Sequence, residues 1–311
     1  MLSYEGISAL QPRALTGLAI KKTQGKFFGS ELLPERPHPE WSGYYKKYGS
    51  IAFGQQAPEV AEGGPVEMLN TGYTESSFTM KEYRTGFELT ERALAYLMKK
   101  DSKVHKSAGR AILNDEMEVA VDRIRLRQEK RILDEIVANA SAGNQVSVGN
   151  LWSDTTNGTP VTDIRSAIVN IRNNEHIEAD TLIITANNEK NVLLSDEVAE
   201  WFKYTTGSKV AQSAGMSRAM PAGICGLDVF VVDAVTMSGI EAAGTESNIL
   251  GDTYAIVMKR GKYAGGVYVA ANINSNSWFE GNTRTTRVDV QKIFVPVIYR
   301  DKAIAILRTV A

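Results

Sequence analysis

Cysteine is almost absent: Cys225 is the single residue of its type in 311. One thiol closes no internal disulfide and completes no cysteine-based metal site, which suits synthesis in a reducing cytoplasm. The three histidines, His38, His105 and His176, are too scattered for metal-ligand spacing, and none sits in an HExxH pattern. Neither sign of charge prevails. Lys plus Arg total 35 against 36 Asp plus Glu, a formal net charge of −1. No global basic field exists to hold nucleic acid, so any such contact is local and weak. No stretch approaches the roughly 18–20 uninterrupted apolar residues of a membrane span. The start, MLSYEGISALQPR, lacks the charged-then-apolar order of a signal peptide, so no membrane partner is expected. No GxxxxGK[ST] loop or GxGxxG fingerprint follows a predicted strand. Acidic pairs such as Asp115-Glu116 and Asp134-Glu135 fall on a predicted helix, where a solvated face accounts for them better than a catalytic dyad. No cofactor, metal or catalytic residue is expected.

The 43% of hydrophobic residues is enough for a real core. Residues 1–50 combine Pro12, Pro34, Pro37 and Pro39 with Phe27, Phe28, Trp41, Tyr44 and Tyr45. The prolines forbid a long helix, and the aromatics are too many for a solvated tail. Such a segment buries itself either across its own domain or on a neighbouring subunit. Residues 51–89 predict a two-stranded ribbon: one arm near Ile51–Phe53, a tip at Gly63-Gly64-Pro65, and a return arm over Tyr73–Leu89. In the return arm Phe78, Met80 and Glu82 share one face. A lone ribbon is marginal in water and must lie on something else.

Thr90 is a candidate N-cap for a short helix, LTERALAYLMKK. The strongest helix signal runs from about Val104 to Ala140. Leu113, Met117, Val121, Ile124, Gln128, Ile132 and Ile136 form one stripe, while Arg125/Glu129, Lys130/Asp134 and Arg131/Glu135 pair one turn apart outside it. Arg123, Arg127 and Lys130 could face nucleic acid, or only pair with nearby acids and neighbouring subunits. Gly143 to Gly158 reads as a loop. A helix start at Thr159-Pro160, a strand core at Leu182–Ile184, a helix over Glu189–Ser195 and a strand at Val229–Val232 then predict an α+β or α/β unit. Strands follow at Thr253–Lys259 and Gly266–Ala271, with a final pair at Thr286–Tyr299 and Ala303–Val310. The pairs Gly63-Gly64 and Gly265-Gly266 read as turns or bends.

This order of elements resembles the major capsid protein of tailed bacteriophages, the Hong Kong 97 type, over essentially the whole chain. The resemblance rests on YTESSFTMKEYRTGFELTERALAYLMKKD, AILNDEMEVAVDRIRLRQEKRILDEIVANA and TPVTDIRSAIVNIRNNEHIEADTLIITANN. It implies an α+β fold with an N-terminal arm (1–47), an extended hairpin loop (48–89), a peripheral domain with a spine helix (90–158 and 276–311) and an axial domain (159–275). It further implies pentamers and hexamers of an icosahedral phage head enclosing double-stranded DNA, held by weak non-specific contact. Phe27, Phe28, Trp41, Tyr44, Tyr45, Gly63, Gly64 and Pro65 would then contact neighbouring subunits. Portal and decoration proteins are expected partners. With no long helical segment ahead of the arm, a scaffold is expected to be a separate protein or to be dispensable. An encapsulin-like nanocompartment shell resembles the same fold and is the alternative. Some family members crosslink through a loop lysine. Here the loop assigned to 48–89 holds only Lys81, near its base, so a shell without covalent links is expected.

Overall fold

The computed structural model describes residues 27–48, 73–90, 103–205, 224–238, 245–308 and 310. The described chain begins with a four-residue helix, Gly29–Leu32 (α1), and strands Glu35–Pro37 (β1), Ser42–Tyr48 (β2), Tyr73–Thr79 (β3) and Lys81–Thr90 (β4). The predicted long helix follows at Lys103–Asn139 (α2), 37 residues or about 55 Å. Next come strand Gln145–Ser147 (β5), helix Pro160–Glu175 (α3), strand Thr181–Thr185 (β6), and helices Ala186–Leu194 (α4) and Asp196–Thr205 (α5). Strands Asp228–Val232 (β7), Val235–Ser238 (β8), Thr245–Asn248 (β9), Tyr254–Met258 (β10), Gly265–Glu280 (β11), Thr285–Ile298 (β12) and Ile304–Arg308 (β13) complete the order.

Two sheets share α2. The first has strand order β1-β11-β12-β4, with β11 and β12 forming one long hairpin and β4 pairing β12 from Thr90↔Thr285 to Lys81↔Phe294. The second has order β5-β13-β10-β6-β7 and mixes parallel and antiparallel pairs. The apolar stripe explains how one helix serves both. Met117, Val121 and Ile124 pack on Val288 and Val290 of the first sheet. Ile132 and Ile136, two turns on, join Leu32, Leu33, Phe294, Ile183, Ile256 and Ile306, a core that touches both sheets.

Strand alternation splits the second sheet between two cores. Ile183 faces α2, whereas Leu182 and Ile184 face α3 through Ile164, Ala167 and Ile171. Both faces of β6 are therefore covered, which is why its sequence is an unbroken apolar run. Pro160 occupies the first turn of α3, and His176 closes it in the left-handed region at φ 56°.

Several expectations change. The ribbon exists, but its outgoing strand is β2, in register with β3 from Ser42↔Thr79 to Tyr48↔Tyr73. It therefore starts six residues before the expected boundary at 48. Ile51–Phe53 and the tip at Gly63-Gly64-Pro65 lie outside the described residues. The predicted face Phe78–Met80–Glu82 breaks after Met80. Phe78 and Met80 are buried, but Glu82 is exposed and Tyr83, Phe87 and Leu89 turn inward, because the chain leaves the ribbon there and joins the first sheet. Thr90 ends β4, and the short helix expected after it lies outside the described residues.

β12 and β13 are not a pair. They belong to different sheets, so β13 sits with β6 and β10 and not with the 276–311 peripheral stretch. A division at 275/276 also cuts β11, which is continuous through Ser275 and Asn276. Gly265 is no turn. It pairs Ile298 inside β11, and a Cβ there would collide with the Val297 carbonyl.

Candidate assembly site

Three polar side chains meet under the first sheet where sequence periodicity calls for apolar ones. Gln128 occupies a stripe position of α2, and Lys292 occupies an inward position of β12 between Val290 and Phe294. Glu35 reaches them from β1. The Lys292 Nζ donates to Glu35 Oε1 at 2.6 Å and to Gln128 Oε1 at 2.8 Å, while Gln128 Nε2 donates to the same Glu35 oxygen at 2.8 Å. Each long polar group is thereby satisfied, as burial requires. Burial works against the charge of Glu35, but the hydrogen bond and charge of Lys292, with Gln128, hold its carboxyl below the usual range. Burial outweighs Glu35 at Lys292 and pulls the ammonium group down. The triad joins the N-terminal segment, the long helix and the first sheet.

One residue along the helix, Glu129 accepts a hydrogen bond from the Gly29 N–H at 2.8 Å through Oε2. Its other oxygen, Oε1, is buried without a partner. Burial pushes the carboxyl up to about 7, against the backbone donors of Gly29 and Phe28. This corrects the expected Arg125/Glu129 surface pair: Glu129 lies inward beneath α1, not on the solvated face. Only glycine fits at position 29, since a Cβ would lie 2.6 Å from Glu129 Oε2 and 2.8 Å from Ile132 Cδ1.

The residues expected to contact neighbouring subunits divide. Phe28 packs into the chain's own core, 5.2 Å from the Phe230 ring centroid. Tyr45 is 8% exposed and lies in a cluster with Phe78, Met80, Ile293, Val297 and Tyr299. These two spend their apolar surface within their own chain, so the strap reading holds for them. Phe27 is half-buried and lines the clefts beside Glu129. Trp41 and Tyr44 stand outward, 54% and 75% exposed. Tyr44, Lys46 and Tyr48 of β2, with Tyr73 of β3, make the ribbon's outer face, where the Lys46 ammonium lies 4.1 Å from the Tyr73 ring centroid. Trp278 and Phe279, 47% and 58% exposed near the end of the β11–β12 hairpin, were not anticipated. Their neighbours Asn274 to Ser277 are polar and look like loop in sequence.

The expected basic cluster is a real stripe. Arg123 and Arg127 are exposed and Lys130 is half-buried, all on one face of α2. Lys130 pairs with Asp134 at 3.8 Å, and the Arg127 guanidinium lies 5.6 Å from the Tyr83 ring centroid. The ribbon carries more lysines than expected, because β2 brings Lys46 and Lys47 into it. The Lys47 amine donates to Asn139 Oδ1 at 3.1 Å, and Asn139 donates to Glu135 Oε1 at 2.8 Å, all within one chain. Among the described residues, no cluster of His, Cys, Asp and Glu could hold a metal ion. No helix among them is long and apolar enough to cross a membrane.

No family model matches the chain, and no curated protein does. Solved structures do. A phage-related protein from Bordetella bronchiseptica is 12% identical, with 96% of this chain and 97% of that one covered at a TM-score of 0.68. A prophage capsid protein of Escherichia coli is 13% identical, over 96% and 98% of the two chains, at 0.64. The holo-SrpI encapsulin complex of Synechococcus elongatus is 10% identical, over 89% and 85%, at 0.56. The chain thus has the α+β capsid fold of the Hong Kong 97 type, over nearly its full length.

Proposed function

We propose that this chain is the major capsid protein of a tailed phage, working by self-assembly into pentamers and hexamers of an icosahedral head around double-stranded DNA. It carries out no catalysis in this role. Beyond the shared fold, one observation supports the reading. The ribbon and the long hairpin present Trp41, Tyr44, Trp278 and Phe279 to solvent on extended elements, an arrangement that suits burial against other copies. In the same reading the N-terminal segment and ribbon reach to neighbours, and the second sheet with α3 surrounds the capsomer axis. Arg123, Arg127 and Lys130 face the packaged DNA, held weakly because the net charge of −1 provides no general attraction. Production in the host cytoplasm, and separate scaffolding, portal and decoration proteins, belong to this proposal as well.

An encapsulin-like shell is the second reading, because an encapsulin shares the fold. Electron microscopy and sedimentation of the purified chain test both, with closed particles expected. Only small oligomers across a range of concentration and salt would overturn both. Nuclease-protected DNA in particles from phage-producing cells supports the head, whereas a packaged enzyme without DNA supports the nanocompartment.

A further inference from the structure

Glu129 stands in the wall between two clefts. One, of about 230 Å³, is lined by Phe27, Gly29, Glu35, Arg125 and Lys292 among others, and the second, of about 330 Å³, by Phe27, Phe28, Asp122, Val232 and Asp233 among others. The segment 27–35 therefore runs between two clefts and is held at a few points. Its anchors are Leu32 and Leu33 in the core and Glu35 on Lys292. At its start, Phe28 packs on Phe230 at the edge of the core, and the Gly29 N–H donates to a carboxyl whose second oxygen has no partner. We propose that the seat of Phe27–Ser30 on the long helix is a proton-operated latch, closed while the Glu129 carboxyl carries a proton and opening as that carboxyl ionises.

Charged groups face Glu129 from every side of the joint. Asp122 and Arg125 lie on its own helix, Glu35 on β1, Lys292 on β12, and Asp233 follows β7. Lys292 is engaged by Glu35, and Arg125 is balanced by Asp122 and Glu35. Among the described residues no cation pairs with Glu129. An ionised carboxylate there must draw water in, and the adjoining clefts allow this without unfolding α2.

Burial sets the working range at about 7, above the ordinary glutamate value of 4.5. A group raised in the closed state favours closure below its free pKa and loses that advantage as pH rises through the raised value. The closed form is thus favoured at and below about pH 4.5, and its advantage is spent by about pH 7. The largest possible effect is a roughly 300-fold change in the closing equilibrium. The bond between Glu35 and Lys292 titrates in the opposite sense at lower pH, because Glu35 is held below the usual carboxylate range.

Hydrogen exchange read by mass spectrometry on the full chain tests this, with rates corrected for intrinsic pH dependence. Between pH 5 and 8, protection of peptides covering 27–32 should fall steeply, while peptides of β10 stay level. In Glu129→Gln, whose carboxamide oxygen can still accept from Gly29 but cannot ionise, protection should be level throughout. Asp122→Asn should keep the wild-type profile. Level protection in the wild type overturns the proposal with no variant needed. A pH dependence that survives Glu129→Gln, or that vanishes in Asp122→Asn, overturns it too.

Discussion

Lys292 is the residue whose placement depends most on its partners. It is almost fully buried, while the Glu35 side chain remains 31% exposed, so truncating the lysine strands a carboxylate that water can only partly reclaim. Lys292→Ala should therefore cost about 2–3 kcal/mol in a urea melt at pH 7, below the roughly 3–5 of a fully buried broken pair. The loss should shrink on acidification. Because the carboxyl of Glu35 is held low, its contribution is present above the unfolded pKa and disappears as pH falls through the folded one. Equal losses at pH 7 and pH 3 would show that packing of the lysine stem, not the ion pair, carries the effect. Alternation in Val288–Val290–Lys292–Phe294 already announces an inward lysine, and Gln128 interrupts an apolar stripe. Their shared partner on β1 was not legible, because nothing local to Glu35 marks which strand its three-residue segment joins.

At the scale of elements, periodicity was informative wherever an element is amphipathic. The stripe from Met117 to Ile136 predicts α2, its buried face and its limits to within a residue. The order α3, β6, α4, β7 was likewise legible from caps and apolar runs. What failed was decided by pairing across long sequence distances. Residues 272–280 are rich in Asn and Ser, yet form the outer half of β11 because β12 pairs with them. The ribbon's true outgoing strand carries Tyr44, Tyr45, Lys46 and Lys47 beside prolines, and so resembles a strap. A truncation pair separates the roles of these residues. Removing 1–26 takes away none of the described residues, and particle yield should fall. Removing 1–40 also takes away Leu32 and Leu33, both fully buried, and each should cost about 2–5 kcal/mol. Calorimetry on both truncations checks this. Equal melting of the two would mean that α1 adds nothing to the core.

For the whole molecule, the earlier start of the ribbon moves the expectation of a shell without covalent links onto a different ground. Lys47, Asn139 and Glu135 adjoin one another, yet all three stay half-buried, and condensation of an amine with a carboxamide needs a drier pocket. Boiled particles should run as one band at 34.0 kDa. The intact mass should equal that of the sequence, whereas a loss of roughly 17 Da, one ammonia, would reveal condensation within the chain. Long α2 has a further consequence. One part of it is fastened to the first sheet through Met117, Val121 and Ile124, and a later part to the core shared with the second sheet through Ile132 and Ile136. It is a lever about 55 Å long, and a tilt of roughly 5° about one end would carry the other by about 5 Å. Two repackings at neighbouring points on one helix would thus set different angles between the sheets, and in the proposed shell identical chains would then fit positions of unequal curvature.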